Sequence, residues 1–309
     1  MPRPSPTTES SLRAGLAKYY GLTAPTIERR DRVSGDASEL YRIDEDGRTR
    51  WLKLASHQDR SLAALEAEAA TVAALADRGL SVAPPIRRRG GRYAGKIVRT
   101  RGVLWRHAGD DERVTPGRLS ALGALVAVLH ASKVRARVPA LDDDARVHAP
   151  LRWLATLARP ERTRLREISS EMFERTSGQR LRTGLCHGDL HLGNVRFTAG
   201  EPILFDFEGC GRGPCAYDLA CFWRKHVVDA GAPGRKTWSA FLRGYATVRA
   251  PTHAELSVIP AFATLRAIWT FALPNHPAME WGRGWLRDHD YVSYHLSIIE
   301  RYAALAVDV

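Results

Sequence analysis

The spacing of apolar positions changes character about a third of the way along the chain. Before that point the pattern is mixed. Ser11 to Tyr20 reads as a helix stopped by Gly21. Arg32–Ile43 alternates weakly around a small-residue turn, Ser34–Ser38, and Asp46-Gly47 is a hairpin signal. Trp51–Leu54 then predicts a short strand, and the Ala- and Leu-rich run Leu62–Arg78 predicts a helix closed by Gly79. Val82–Pro85 breaks the chain, Tyr93–Arg99 returns as a strand, and Ile97–Val103 reads as a linker. From Pro116 onwards the period is helical, over Leu119–His130, Leu151–Leu157, Leu165–Phe173, Trp238–Val248, Ile259–Phe271 and Tyr291–Ala306. Only residues 185–207 interrupt it with short strands. A strand-rich start and a helix-rich remainder predict an α+β chain of two unequal lobes, residues 1–100 and 101–309.

Composition narrows the class. The 309 residues are 44% hydrophobic and 26% charged, an ordinary globular balance. No apolar run approaches the roughly 18 residues of a membrane span, and the N-terminus lacks a signal-like apolar stretch. A cytoplasmic protein with no membrane partner is expected. The net charge is +12, carried by 40 Arg and only 6 Lys. These residues are scattered, with Arg87-Arg88-Arg89 the tightest run and no interleaved aromatics, so a solvated basic surface is expected and no specific nucleic-acid partner. Cys186, Cys210, Cys215 and Cys221 match no zinc-type pairing and read as small buried residues in a reducing compartment. Nothing in the sequence fixes the oligomeric state.

The chemistry is concentrated in LCHGDLHLGNVRFTAGEPILFDFEGCGRGPCAYDLA, residues 185–220. Asp189 and Asn194 lie in a Gly-rich loop. A hairpin follows, Val195–Phe197 and Ile203–Phe205 turning through Ala199-Gly200, and Asp206 stands at its end. Folding back of such a hairpin brings Asn194 and Asp206 towards one point, with Asp189 nearby. Two oxygen ligands beside a further carboxylate suit magnesium-dependent phosphoryl transfer, since Mg²⁺ prefers hard oxygen donors.

The succession HGDLHLGN, FDFE, YDLA is similar to the aminoglycoside phosphotransferase family, which includes antibiotic, choline and homoserine kinases and a bacterial stress-response Ser/Thr kinase. The resemblance implies a bilobal protein-kinase-like fold, a small β-rich N-lobe and a larger, mainly helical C-lobe. It implies that Asp189 is the catalytic base, that Asn194 and Asp206 hold the metal, and that Asp218 and His187 are structural supports. The spacing is that of the protein-kinase catalytic loop, with His187-Gly188-Asp189 in place of H-R-D. In the first lobe Lys53 resembles the lysine that reaches the nucleotide phosphates. Its acidic partner is expected from the following helix. There Glu68 lies within the apolar stripe Leu62, Leu65, Ala69, Val72, Leu75, whereas Glu66 lies beyond its edge; a buried carboxylate needs a cation, so Glu68 is the choice. Gly35 and Ser38 sit where the family's phosphate-covering turn lies. His130 resembles the end of the family's L-x3-L-x2-LH helix and reads as packing or support.

By the same resemblance the cofactors are ATP, with GTP as the alternative, and Mg²⁺. The expected partner is a small hydroxylated molecule. Only eleven residues, Phe207–Tyr217, separate Asp206 from Asp218, and Phe207–Ala216 contains no Ser, Thr or Tyr. A peptide-docking, phosphorylatable loop therefore has little room, which favours a small-molecule acceptor over a protein Ser/Thr kinase. A non-catalytic nucleotide-binding scaffold is disfavoured because Lys53, Asp189, Asn194 and Asp206 are all present. Acceptor-pocket candidates are Trp269, Glu280, Trp281, Trp285, Asp288 and Asp290. Their neighbours Arg283, Arg287 and His289 balance the acids, so the segment does not single out a polycationic aminoglycoside.

Overall fold

The computed structural model describes residues 8–30, 38–55, 60–97, 100–110, 112–135, 137–228, 231–276 and 284–305. The chain divides into two compact units, Met1–Ala108 with Arg135–Arg137, and Gly109–Val134 with Val138–Val309.

The first unit is a helix-flanked antiparallel sheet. Helix α1 (Glu9–Tyr20) starts at Thr8, whose hydroxyl accepts from the Ser11 N–H, and ends at Gly21 with φ 77°, the left-handed conformation that glycine adopts without a Cβ penalty. Strands β1 (Thr26–Arg30), β2 (Glu39–Glu45) and β3 (Arg48–Leu54) precede helix α2 (Leu62–Ala76), and β4 (Gly95–Ile97) and β5 (Thr100–Arg106) follow. The strand order is β1-β2-β3-β5-β4. Period-two alternation sorts the side chains onto two faces. Tyr41, Ile43, Leu52, Leu54 and Leu104 pack with Leu12 and Leu16 of α1. Val103 packs with Leu65, Ala69 and Ala73 of α2. Burying each large side chain contributes about 1.5–3 kcal/mol, so neither helix is an optional ornament of the sheet.

Two sequence expectations need correction here. Ile97–Val103 is not a linker: Gly95↔Gly102, Lys96↔Arg101 and Ile97↔Thr100 pair as an antiparallel hairpin. Gly102, Val103 and Leu104 are buried against β3, which keeps the chain in the sheet as far as Arg106. The junction between units consequently falls after Ala108 instead of near residue 100.

The second unit is mostly helical. It contains α3 (Pro116–Ala131), a π-helical turn at Asp144–His148 leading into α4 (Ala149–Trp153), and α5 (Arg159–Thr176). Short strands β6 (Thr183–Cys186), β7 (Val195–Thr198), β8 (Glu201–Leu204) and β9 (Gly211–Pro214) come next. Helices α6 (Ala216–Trp223), α7 (Gly231–Arg249), α8 (His253–Ser257), α9 (Ile259–Ala272) and α10 (His289–Ala303) complete it. Strand β7 pairs with β8, and β6 pairs with β9. Helices α3 and α7 pack backbone to backbone. A Cβ at Gly123 would lie 2.0 Å from the Phe241 carbonyl oxygen, and one at Gly244 would lie 1.7 Å from that of Ser120. Residues 253–275 are long and apolar enough to cross a membrane by composition. The reason for its composition is burial: twelve of the fourteen residues of α9 are buried within the unit.

Candidate active site

The site is built on the turn that follows β6. Cys186 ends the strand, and His187, Gly188 and Asp189 leave it in a tight bend. Gly188 has φ 81°, and a Cβ there would lie 1.8 Å from the Gly209 carbonyl oxygen. The position that is arginine in the H-R-D pattern must here be glycine, because a second backbone segment lies against it. Beneath the bend, fully buried Asp218 of α6 accepts from the His187 N–H (2.6 Å) and the Gly188 N–H (2.8 Å). The same carboxylate bonds Nε2 of His130 at 3.0 Å, and Nδ1 of His130 bonds the Tyr245 hydroxyl at 2.8 Å. Burial opposes charge on both partners, but mutual hydrogen bonding wins. His130 is raised to about 9 and Asp218 is held below the usual carboxylate range. His130, Cys186 and Asp218 also form a compact, fully buried trio of metal-type donors. The carboxylate and imidazole are already bonded to each other and to the loop, so the trio acts as a brace.

His187 ties the bend to the hairpin. Its Nδ1 accepts from the Asp189 N–H at 3.4 Å, which leaves the ring proton on Nε2 for the Phe205 carbonyl at 3.0 Å. Its ring also packs on Phe207, 4.6 Å between centroids. Asn194 is buried, and its amide nitrogen donates to the Asp189 carbonyl at 2.9 Å. The Phe205 N–H donates to the Asn194 carbonyl at 3.1 Å, so Asp206 begins one residue beyond a direct backbone bond to Asn194. Asp206 has φ 63°, left-handed and sparsely populated for a non-glycine residue. Such strain persists only where the surroundings over-determine it, and it clusters at working sites. Asn194 is thus bonded directly to Asp189, and Asp206 follows the residue bonded to Asn194. Their donor set, an amide oxygen and carboxylates, fits a magnesium-type ion.

Two further residues, not anticipated from the sequence, complete the surroundings. Arg266 of α9 is buried, and its Nη2 donates to Asp189 Oδ1 at 2.7 Å. Burial works against charge on Asp189, but Arg266, His191 and His187 outweigh it and hold the carboxyl well below the usual range. His226 accepts from the Leu192 N–H at 2.8 Å, and burial with nearby His191 and Lys225 lowers it to about 4, so it serves as a neutral acceptor. Arg266 had a readable signal: a lone cation in the apolar run IPAFATLRAIWTFA. The burial argument that selected Glu68 applies to it equally.

In the strand-rich unit, Lys53 lies on β3, an inner strand, opposite Val103 of β5. Cross-strand partners share a face, so Lys53 is on the α2 side of the sheet. Glu68 of α2 is buried and forms an ion pair with Arg60. Glu66 instead accepts from the Tyr93 and Ala94 N–H groups. Ser38 immediately precedes β2, whereas Gly35 lies outside the described residues.

The acceptor candidates scatter. Trp269 stacks on Arg266, 4.0 Å from guanidinium carbon to ring centroid, and meets Trp153 edge-on at 6.5 Å. Trp285 is exposed and packs on Tyr291. Asp288 caps α10 by accepting from the Asp290 and Tyr291 N–H groups, and Asp290 is exposed beside His289. Glu280 and Trp281 lie outside the described residues.

Residues 30–252 match the family described as "Phosphotransferase enzyme family". The chain belongs to that family. An uncharacterized protein of Deinococcus radiodurans is 32% identical over 290 residues, 87% of this chain and 83% of its own. Among solved structures, the amicoumacin kinase hAmiN, in complex with AMP-PNP, Ca²⁺ and Ami, superposes with a TM-score of 0.75 at 21% identity, covering 96% of this chain and 93% of its own. Choline kinase LicA from Streptococcus pneumoniae gives 0.72 at 13% identity, covering 96% and 98%. This phosphotransferase therefore has the bilobal kinase-like fold, with β1–β5 in its N-terminal lobe and a helical C-terminal lobe.

Proposed function

We propose that this phosphotransferase moves the γ-phosphoryl group of ATP to a hydroxyl of a small molecule, with Asp189 as the base and Asn194 and Asp206 as the metal ligands. The observation that supports the reading is the hydrogen bonding of Asn194 to Asp189 and of Phe205, the residue before Asp206, to Asn194. The acceptor oxygen forms a bond to the γ-phosphorus as the bridging P–O bond breaks. ADP leaves with that electron pair, and the hydroxyl proton passes to the Asp189 carboxylate. A divalent ion held by Asn194 and Asp206 would neutralise phosphate oxygens and align them. Lys53, with Glu68 on the neighbouring helix, is read as the nucleotide-phosphate cation of the first lobe, and Ser38 as a donor of the phosphate-covering turn.

A small-molecule acceptor is favoured over a protein by the segment after Asp206. Gly211–Pro214 is paired residue by residue with Thr183–Cys186 and is not a loop on which a peptide could dock. The named relatives, an amicoumacin kinase and a choline kinase, support the same class of acceptor. The test is a screen of hydroxylated metabolites and antibiotics for an ATP-dependent mass gain of one phosphoryl group, with Asp189→Asn as the control. Transfer to casein-type proteins with none to any small molecule would reverse the preference.

A further inference from the structure

The tightest run of basic residues in the chain is Arg87-Arg88-Arg89, and the fold brings Lys18 of α1 and Lys96 of β4 to it. A turn closes from Arg88 to Arg92, where the Arg88 N–H donates to the Arg92 carbonyl at 2.8 Å. The Arg89 N–H donates to the Tyr19 carbonyl, also at 2.8 Å, which ties the turn to the end of α1. The Arg88 guanidinium lies 4.0 Å from the centroid of the Tyr19 ring, and the Lys18 ammonium lies 5.3 Å from the same centroid. Arg88 also donates to the Ala94 and Lys96 carbonyls at the β4 edge of the sheet. Arg87 lies over Tyr93 at 4.5 Å. Across the β4–β5 pairing Lys96 stands opposite Arg101. Like charges placed directly opposite destabilise a sheet, and two cations sharing one ring repel each other. Lys18, Arg87, Arg89, Arg92 and Lys96 are exposed.

Nothing described in this unit neutralises the group. Among the described residues, none of Lys18, Arg87, Arg88, Arg89, Arg92 and Lys96 forms an ion pair, whereas Arg13, Arg30 and Arg42 pair with carboxylates at 2.7, 2.9 and 2.8 Å. Glu66 reaches the group, but its carboxylate accepts from the Tyr93 and Ala94 N–H groups. The other described acids of the unit are engaged or placed elsewhere. Glu9, Glu28, Glu39, Asp44 and Glu68 pair with arginines outside the group. Glu45 accepts from the Ala24 N–H, Asp46 lies in the β2–β3 turn and Asp77 follows α2.

We propose that this surface of the first unit docks an acidic polypeptide segment of a partner protein. Unpaired guanidinium groups take carboxylates through two parallel N–H donors, and a chain rich in Asp and Glu relieves the crowded positive charge. Tyr93 is buried and Tyr19 already carries two cations, so no aromatic face is offered for a nucleic-acid base to stack on. The exposed large apolar residues, Val114, Val128, Val248, Trp285 and Tyr294, all belong to the second unit. No apolar wedge therefore stands beside the cations to enter a membrane. None of the basic residues in the group belongs to the proposed transfer machinery.

Binding to the full chain is followed by fluorescence anisotropy with a labelled peptide of Glu and Asp, its Gln and Asn counterpart and a labelled oligouridylate. Phosphatidylserine vesicles are tested by co-sedimentation. At about 0.15 M salt the acidic peptide is expected to bind at least about tenfold more tightly than the neutral one, and to weaken as salt rises. The triple variant Arg87→Gln, Arg89→Gln, Arg92→Gln is expected to lose at least about tenfold. A second triple variant, Arg30→Gln, Arg152→Gln, Arg175→Gln, removes as much charge from exposed arginines that already have carboxylate partners. It is expected to stay within about twofold of the unaltered protein. Thermal melting shows that each variant folds; should the first melt early, Lys18→Gln with Lys96→Gln removes charge from two further exposed positions and is expected to weaken the acidic peptide likewise. Absence of binding to the acidic peptide, equal binding of the neutral peptide or equal loss in the two triple variants overturns the proposal. Tighter binding of the oligouridylate or of the vesicles overturns it as well, by naming a different occupant.

Discussion

Two aspartates serve the two ends of one bend, and their surroundings give them opposite characters. Asp218, beneath the bend, is sealed from water and receives two backbone N–H groups and an imidazole. Asp189, at the rim, keeps 38% of its side chain exposed and has one strong partner, Arg266. A carboxylate saturated with donors holds geometry; a carboxylate exposed at a rim can take a proton. Side-chain identity says nothing about which is which, and the count of aimed donors says nearly everything.

The sharpest way to separate the two is to neutralise each in turn. Asp189→Asn should lower kcat by about 10²–10⁴-fold, the usual worth of a positioned acid or base, while nucleotide binding stays close to that of the unaltered protein and the melting temperature falls because buried Arg266 loses its charged partner. An unchanged turnover would remove Asp189 from the reaction. Asp218→Ala should instead cost about 3–5 kcal/mol in chemical denaturation, because it leaves His130 and two backbone N–H groups buried without their acceptor. Activity would then fall together with stability; a stable but inactive Asp218→Ala protein would break the distinction drawn here.

Next in size is the proposed metal ligand. Asp206→Ala should weaken Mg²⁺-dependent nucleotide binding by about tenfold or more, with little change in binding measured in EDTA. Smaller again is the pH dependence of the brace. His130 is raised to about 9 against an unfolded value of about 6.5. Its contribution is therefore fully present below about 6.5 and lost as pH rises through about 9. The folded pKa of Asp218 is depressed, so its contribution is present above about 4 and lost as pH falls through the folded value. Denaturation between about pH 6 and 10 should show an alkaline decline that His130→Gln flattens. Least of all, Asp288→Ala should cost about 1 kcal/mol through the lost α10 cap and leave turnover unaltered. A large loss of turnover would return Asp288 to the acceptor pocket.

Much of this was readable from the chain, and the exceptions share a cause. The helix boundaries of α2, α3 and α9 follow from apolar period and flanking Gly, Pro and Thr residues. The loop residues Asp189, Asn194 and Asp206 stand out because they are close together in sequence and form a dense, spaced string. Strand β5 was missed because Gly102 and the adjoining arginines mask its alternation, and only its pairing with β3 and β4 reveals it. Arg266 lies 77 residues beyond Asp189 in the chain. No local pattern links the two, although a single cation inside an apolar helix announces that it has a partner somewhere. Asp288, an acceptor-pocket candidate, also caps α10, as a short polar residue at a helix start does by the plainest rule.

One consequence of the β6–β9 pairing reaches beyond the site. Four of the eleven residues after Asp206, Gly211–Pro214, are laced to the strand that leads into the catalytic bend, and cannot swing outward without tearing that lacing. Because Phe207–Ala216 carries no Ser, Thr or Tyr, that laced strand also offers no hydroxyl on which a phosphate latch could be set.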